Sequence, residues 1–183
     1  QQAATEPWTP VTPFDFESRK AIEGIHPQLI RETFQPMRVI DVGCGPGWLV
    51  TLLREIGVDA VGIDKADGFD VADRETMPYT ERDYDLVICR EVLEHLPLNQ
   101  IRPAVTNLCA LSSRFVYGTT RFAKGSHLLD VDTSDDLDPT HITMLNQTLL
   151  RALFVLEGFK RRADLEEKMD HKHLSRVLVY ERA

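Results

Sequence analysis

Short apolar runs alternate along this chain with longer segments whose apolar residues recur every three or four positions. "RVIDVG" (38–43) is a β-branched run too short for a helix and closed by glycine, which predicts a buried strand. "WLVTLLREIG" has helical periodicity and stops at Gly57. "DAVGID" predicts a second strand, and "YDLVICR" a third that runs into a helical "EVLEHLP" closed by Pro97. "IRPAVTNLCAL" predicts a helix, "RFVYGTT" a strand, and "TMLNQTLLRALFVLEGF" a long amphipathic helix stopped at Gly158. "FKRRADLEE" and "SRVLVYERA" predict a closing antiparallel pair. Strands alternating with helices predict an α/β fold with a mainly parallel sheet. Residues 1–37 stand apart from this alternation. They form a proline-bearing arm with Trp8, Phe14 and Phe16 as aromatic anchors, then a cap helix broken at Pro27.

Composition narrows the class without naming it. The 183 residues suit one core-bearing domain with an arm. No apolar run approaches the roughly 20 residues that span a bilayer, and no basic-plus-apolar leader is visible. Cys44, Cys89 and Cys109 are an odd number without metal-type spacing, which points to reduced thiols and a cytoplasmic compartment. A formal charge of −8 disfavours nucleic acid as a partner. Asp130, Asp132, Asp135, Asp136 and Asp138 concentrate part of that charge in one loop. This loop fails the calcium pattern, with Asp135 where glycine is needed and His141 where glutamate is needed, and reads as a solvated flap over a substrate mouth. Beginning at Gln1 rather than methionine, the chain reads as trimmed or as part of a longer one.

"VIDVGCGPGWLV" carries the most chemistry. Gly43, Gly45 and Gly47 sit between a strand and a helix, where glycine permits a sharp turn and close approach to a ligand. The spacing is neither that of a dinucleotide loop nor that of a Walker loop. Asp64 ends the next strand, 21 residues after Gly43, where an acid accepts hydrogen bonds from ribose hydroxyls.

These motifs, with "DRETMPY" and "YDLVICREVLEHL", resemble the class I S-adenosylmethionine (SAM) dependent methyltransferases over roughly residues 38 to 181. The resemblance implies a Rossmann-like, doubly wound sheet of seven strands, mainly parallel with an antiparallel last strand, in a domain over 38–183. It implies that Asp41, Gly43, Cys44 and Gly45 hold the methionine part of SAM and Asp64 the ribose. Lys65, Ala72 and Asp73 would flank the adenine, and Cys89 and Arg90 would line the floor near the methyl group. The chain departs from the family between Asp64 and Asp73, where the usual helix is replaced by a short loop.

"EVLEHL" admits more than one role. On a helix, Glu91, Glu94 and His95 would share a face, which is commonly a solvated charged stripe. Small-RNA 2′-O-methyltransferases and ubiquinone-pathway O-methyltransferases use an E-x-x-E-H element to hold a divalent metal. By that resemblance Glu91, Glu94, His95 and the downstream His141 form a site for Mg²⁺ or Mn²⁺. Such a site clamps two adjacent hydroxyls and lowers the pKa of the attacked one. Without metal, His141 or His95 is the candidate catalytic base. The expectation is a SAM-dependent O-methyltransferase of a small hydroxylated acceptor. The alternatives are an RNA 3′-end 2′-O-methyltransferase, disfavoured by charge and by "YGTTR" after the strand, and a non-catalytic SAM-binding module of a larger protein. The oligomeric state is not legible.

Overall fold

A computed structural model describes residues 16–77, 82–125, 127–130 and 138–183. The arm residues Trp8 and Phe14, and Asp132, Asp135 and Asp136 of the acidic loop, lie outside them. Helices α1 (Phe16–Glu23) and α2 (His26–Phe34) precede β1 (Arg38–Val42), α3 (Trp48–Glu55), β2 (Asp59–Ile63) and β3 (Tyr84–Arg90). Then come α4 (Leu98–Leu111), β4 (Ser112–Thr119), β5 (Leu129–Asp130), β6 (Met144–Leu145), α5 (Gln147–Leu156), β7 (Phe159–Arg161), α6 (Ala163–Met169) and β8 (Val177–Arg182).

The main sheet has the order β2-β1-β3-β4-β8-β7, and β5 and β6 form a separate ribbon. Strands β2, β1, β3 and β4 are parallel, and β8 is antiparallel to both neighbours. The α/β, mainly parallel class with an antiparallel last strand is therefore present, but among the described residues with six strands in the main sheet instead of seven. The stretch between Ile63 and Tyr84 explains the difference. A further parallel strand needs a crossover of a dozen residues or more in addition to the strand itself. The chain here forms two 3₁₀ turns, Lys65–Asp67 and Arg74–Thr76, and Val71 plugs into the core from between them.

Alternation along the strands sends side chains into two cores. Val87 and Cys89 join α4 and α5 on one face, while Leu86 and Ile88 join α2 and α3 on the other. The first helical break falls at Gly24, whose φ is +55, and not at Pro27, which sits in the first turn of α2. Proline is tolerated there because that N–H has no helical partner.

"EVLEHL" is not a helix. Glu91 leaves β3 with φ +53 while its N–H still pairs with Thr119 O at 2.8 Å. Only Leu93–His95 form a 3₁₀ turn, and Pro97 opens α4 where it was expected to close a helix. Val92, Leu93 and Leu96 have helical spacing, but the sheet holds one end of the segment. At the other, Pro97 biases Leu96 to an extended backbone.

Candidate active site

Strand order reverses between β1 and β3, so the loops leaving their C-terminal ends border the crevice where open α/β sheets bind ligands. The loop after β1 is held from both sides. Gly43 N and Cys44 N donate to Ile63 O at 2.8 and 3.1 Å. Gly45 N donates to Asp64 Oδ2 at 2.9 Å, and Ala66 N donates to Oδ1 at 3.0 Å. Each Asp64 oxygen keeps a lone pair for an outside donor such as a sugar hydroxyl. A Cβ on Gly45 or Gly47 would meet nothing within 4 Å, so the loop offers an uncovered backbone cradle. Open backbone beside an acid with spare acceptor capacity fits a nucleoside cofactor.

The other residues expected around the cofactor take distinct places. Asp41 is buried in β1. Cys44 turns inward, where a Cβ on Gly62 would stand 2.7 Å from its Sγ, so it fills the space that Gly62 leaves. Burial, with Asp41 and Asp64 adding to it, pushes the Cys44 thiol up to about 12. Lys65 is exposed at the start of its turn. Ala72 is half-buried, and the exposed Asp73 caps its turn by accepting from Glu75 N at 3.0 Å. The neighbouring Pro78 lies outside the described residues. Cys89 is buried in the α4 and α5 core. Arg90 points toward the cap, where its Nη1 donates to Glu23 Oε2 at 3.1 Å.

The loop after β3 abuts the glycine loop, since a methyl group on Gly43 would collide with Val92 Cγ2. Beyond Val92, ligand atoms of Glu94, His95 and His141 all lie within 4.8 Å of one another. Backbone pairing brings His141 there: Ile142 N and Thr143 N donate to Glu94 O at 2.9 and 3.1 Å. His95 Nδ1 lies 3.1 Å from Thr140 O and 2.9 Å from Thr140 Oγ1. That oxygen's own proton goes to Asp138, so His95 takes the Nδ1–H tautomer and its Nε2 keeps an open lone pair. His141 Nε2 is 3.6 Å from Asp138 Oδ2.

Glu94 is fully buried. Thr120 Oγ1 donates to its Oε2 at 2.8 Å, while Oε1 is buried and receives no hydrogen bond. Burial first, and then the neighbouring Glu91 carboxylate, raise the Glu94 carboxyl far above the usual range. Burial first, and then His141, lower His95. One buried carboxylate and two imidazoles thus meet in a site that favours neutralisation by protons or by a cation. Glu91 stands at the edge of this group, half-exposed, with its Oε2 3.8 Å from Arg121 Nε.

A second buried polar network has no counterpart in the sequence reading. His26 Nδ1 lies 3.0 Å from Glu23 Oε2, and His26 Nε2 lies 2.7 Å from the Tyr117 hydroxyl. A neutral His26 with Nδ1–H satisfies both contacts, donating to Glu23 and accepting from Tyr117. The His171 ring stacks on it at 5.6 Å. Burial would raise Glu23, but the hydrogen bond from His26 and the Arg90 cation outweigh it and hold the carboxyl well below its usual range. Burial lowers His26 to about 4. The only sequence signal was Pro27, which puts His26 at a helix start; Tyr117 lies 91 residues away. Thr120 and Thr140, which fix Glu94 and His95, were likewise missed.

A family model described as a methyltransferase domain matches residues 15–162. The chain belongs to the class I SAM-dependent methyltransferases. Among curated methyltransferases, it is 33% identical over 112 residues to a ubiquinone biosynthesis O-methyltransferase of Bordetella avium, covering 49% of this chain and 45% of that protein. It is 35% identical over 78 residues to the protein of the same description from Methylococcus capsulatus, covering 33% of each. The chain thus spans less than half the length of these curated relatives. In fold, this methyltransferase is similar to a SAM-dependent methyltransferase from Archaeoglobus fulgidus, with a TM-score of 0.65 and 15% identity over 92% of this chain and 95% of that one. It is also similar to the magnesium protoporphyrin IX methyltransferase of Synechocystis with bound SAM, with a TM-score of 0.59 and 18% identity over 90% and 79% of the two chains. Among the described residues no helix is long and apolar enough to cross a membrane.

Proposed function

We propose that this methyltransferase acts on a hydroxyl oxygen of a small acceptor and that Glu94, His95 and His141 hold a divalent cation beside it. The observation that carries this reading is the convergence of their ligand atoms within 4.8 Å of one another, at a buried carboxylate one of whose oxygens has no donor. One carboxylate and two imidazoles, with Glu91 at the edge, suit Mn²⁺, or Mg²⁺ if water completes the shell. His95 has the arrangement of a metal ligand, with Nδ1–H on a carbonyl and Nε2 facing away from it. The O-methyltransferase descriptions of both curated relatives support oxygen as the acceptor atom. Neither the RNA 3′-end reading nor the non-catalytic one gains support from a relative or a residue.

When bound, such a cation would polarise the acceptor hydroxyl and lower its pKa. The glycine loop and Asp64 hold the cofactor, and Val92 keeps that loop against the acceptor side. In the transfer, the acceptor oxygen forms its bond to the methyl carbon while the carbon–sulfur bond breaks. That bond's electron pair stays on sulfur, giving S-adenosylhomocysteine (SAH). With the cation bound the hydroxyl proton leaves to water; without it, His95 Nε2 or His141 takes the proton. Rate comes mainly from holding oxygen, carbon and sulfur in line.

The test is a calorimetric titration of chelator-stripped protein with Mn²⁺ in saturating SAH. One ion is expected to bind per chain, and Glu94→Gln is expected to abolish binding while leaving SAH affinity unchanged. Absence of Mn²⁺ binding to the wild type defeats the metal reading and leaves His95 and His141 as bases.

A further inference from the structure

Beside the cluster stands an arginine whose charge no hydrogen bond among the described residues accounts for. Arg121 follows Thr120, the residue that donates to Glu94, just past the C-terminal end of β4. Among the described residues its one close acid is Glu91, at 3.8 Å from Nε. That separation is an ion pair without a hydrogen bond, and with the two side chains 32% and 41% exposed it is weak. The Nε itself is buried and has no hydrogen-bond partner. The Arg121 stem also walls a small apolar recess with Leu93, Thr120, Thr143 and Leu145, which leaves its guanidinium to face outward.

A guanidinium presents five donors in a rigid fork that matches a carboxylate in a bidentate way. Held at the rim, next to groups suited to neutral or metal-bound hydroxyls, such a fork discriminates by charge. We propose that Arg121 is a specificity-determining residue that anchors a carboxylate of the acceptor, so that the substrate is a hydroxylated carboxylic acid. This rests on the acceptor-side assignment of the cluster made above and adds the acceptor's charge to it. Glu91 then acts as the group that holds Arg121 at the rim until the acid replaces it.

The test uses the full chain saturated with SAH, titrated calorimetrically with 3,4-dihydroxybenzoate and with catechol, each with and without Mn²⁺. The acid is expected to bind about tenfold tighter than catechol in both conditions, the gain of one charge-assisted bidentate contact. Arg121→Met and Arg121→Gln are expected to erase that preference while leaving affinity for catechol and for SAH unchanged. Equal binding of acid and diol by the wild type, binding of neither, or a preference that survives both substitutions overturns the proposal. The metal reading is scored separately. If Mn²⁺ does not strengthen catechol binding, that reading fails while the acid preference still stands or falls on Arg121.

Discussion

The Thr120 hydroxyl satisfies one oxygen of the buried Glu94 carboxylate at 2.8 Å and leaves the other without a donor. A half-satisfied buried acid destabilises the fold that carries it. Its place beside His95 and His141 marks a position where stability and ligand binding pull in opposite directions.

The first prediction concerns the sign of that conflict. Glu94 has its pKa raised by burial and by Glu91. Above the usual carboxylate range the folded chain therefore holds a proton that the unfolded chain has lost. Stability falls as pH rises through this window. In chelator, Glu94→Gln removes the penalty and lets the new amide donate toward Glu91. Thermal melts should show the variant more stable than the wild type at pH 8, by about 1 to 3 kcal/mol, with the gain vanishing near pH 4.5. A variant less stable than the wild type at pH 8 would show that Glu94 is not held against its charge.

The cap network titrates with the opposite sign. Burial keeps His26 neutral down to about 4, so between its ordinary value of 6.5 and that point the unfolded chain binds the extra proton. Glu23, held low against its burial by His26 and Arg90, begins to lose its contribution once pH falls below its ordinary value of 4.5. Both effects destabilise the chain on acidification, His26 first. In the Glu94→Gln background, which lacks the opposing titration of Glu94, denaturant midpoints should fall from pH 6.5 downward. Glu23→Gln should destabilise the chain by about 3 kcal/mol at pH 7, because it removes the carboxylate that hydrogen-bonds the Arg90 guanidinium. A flat profile between pH 6.5 and 4 in the Glu94→Gln background would remove His26 from the account.

Where the sequence pattern was decisive, one physical rule was acting alone. The β-branched runs at 38–42 and 84–90 became strands because both faces are buried by helices, and a continuous apolar run has no other stable use at that length. The glycine loop was legible because few other arrangements need three glycines in one turn. The pattern misled where tertiary pairing overrode local spacing. Val92, Leu93 and Leu96 fit a helix, yet Glu91 N is still part of the sheet through Thr119 O. The place of His141 was legible only by resemblance, and its cause, the pairing of Ile142 and Thr143 with Glu94 O, is a contact between segments 48 and 49 residues apart. Polar side chains with remote partners, His26 with Tyr117 and Thr120 with Glu94, carry no periodic signal at all.

The last prediction joins the two loops of the crevice. Gly43 has φ +79, and a side chain there would collide with Val92 Cγ2. Gly43→Ala therefore meets two separate obstacles. The left-handed backbone costs an L-residue about 1 to 2 kcal/mol, and the methyl group forces Val92, and with it the turn that carries Glu94, away from the glycine loop. The single substitution should weaken SAH binding by tenfold or more, and should also weaken Mn²⁺ binding at a cluster it does not touch. Val92→Ala alone removes two methyl groups from a half-buried side chain and should leave both affinities within about fivefold of the wild type, since such a truncation costs about 1 kcal/mol. The double variant Gly43→Ala, Val92→Ala relieves the collision and leaves only the backbone term. Calorimetry should then find Mn²⁺ affinity restored and SAH affinity recovered in part. If the double variant binds Mn²⁺ as poorly as Gly43→Ala alone, the two loops are not coupled through Val92, and the cofactor and acceptor sides of the crevice are set independently.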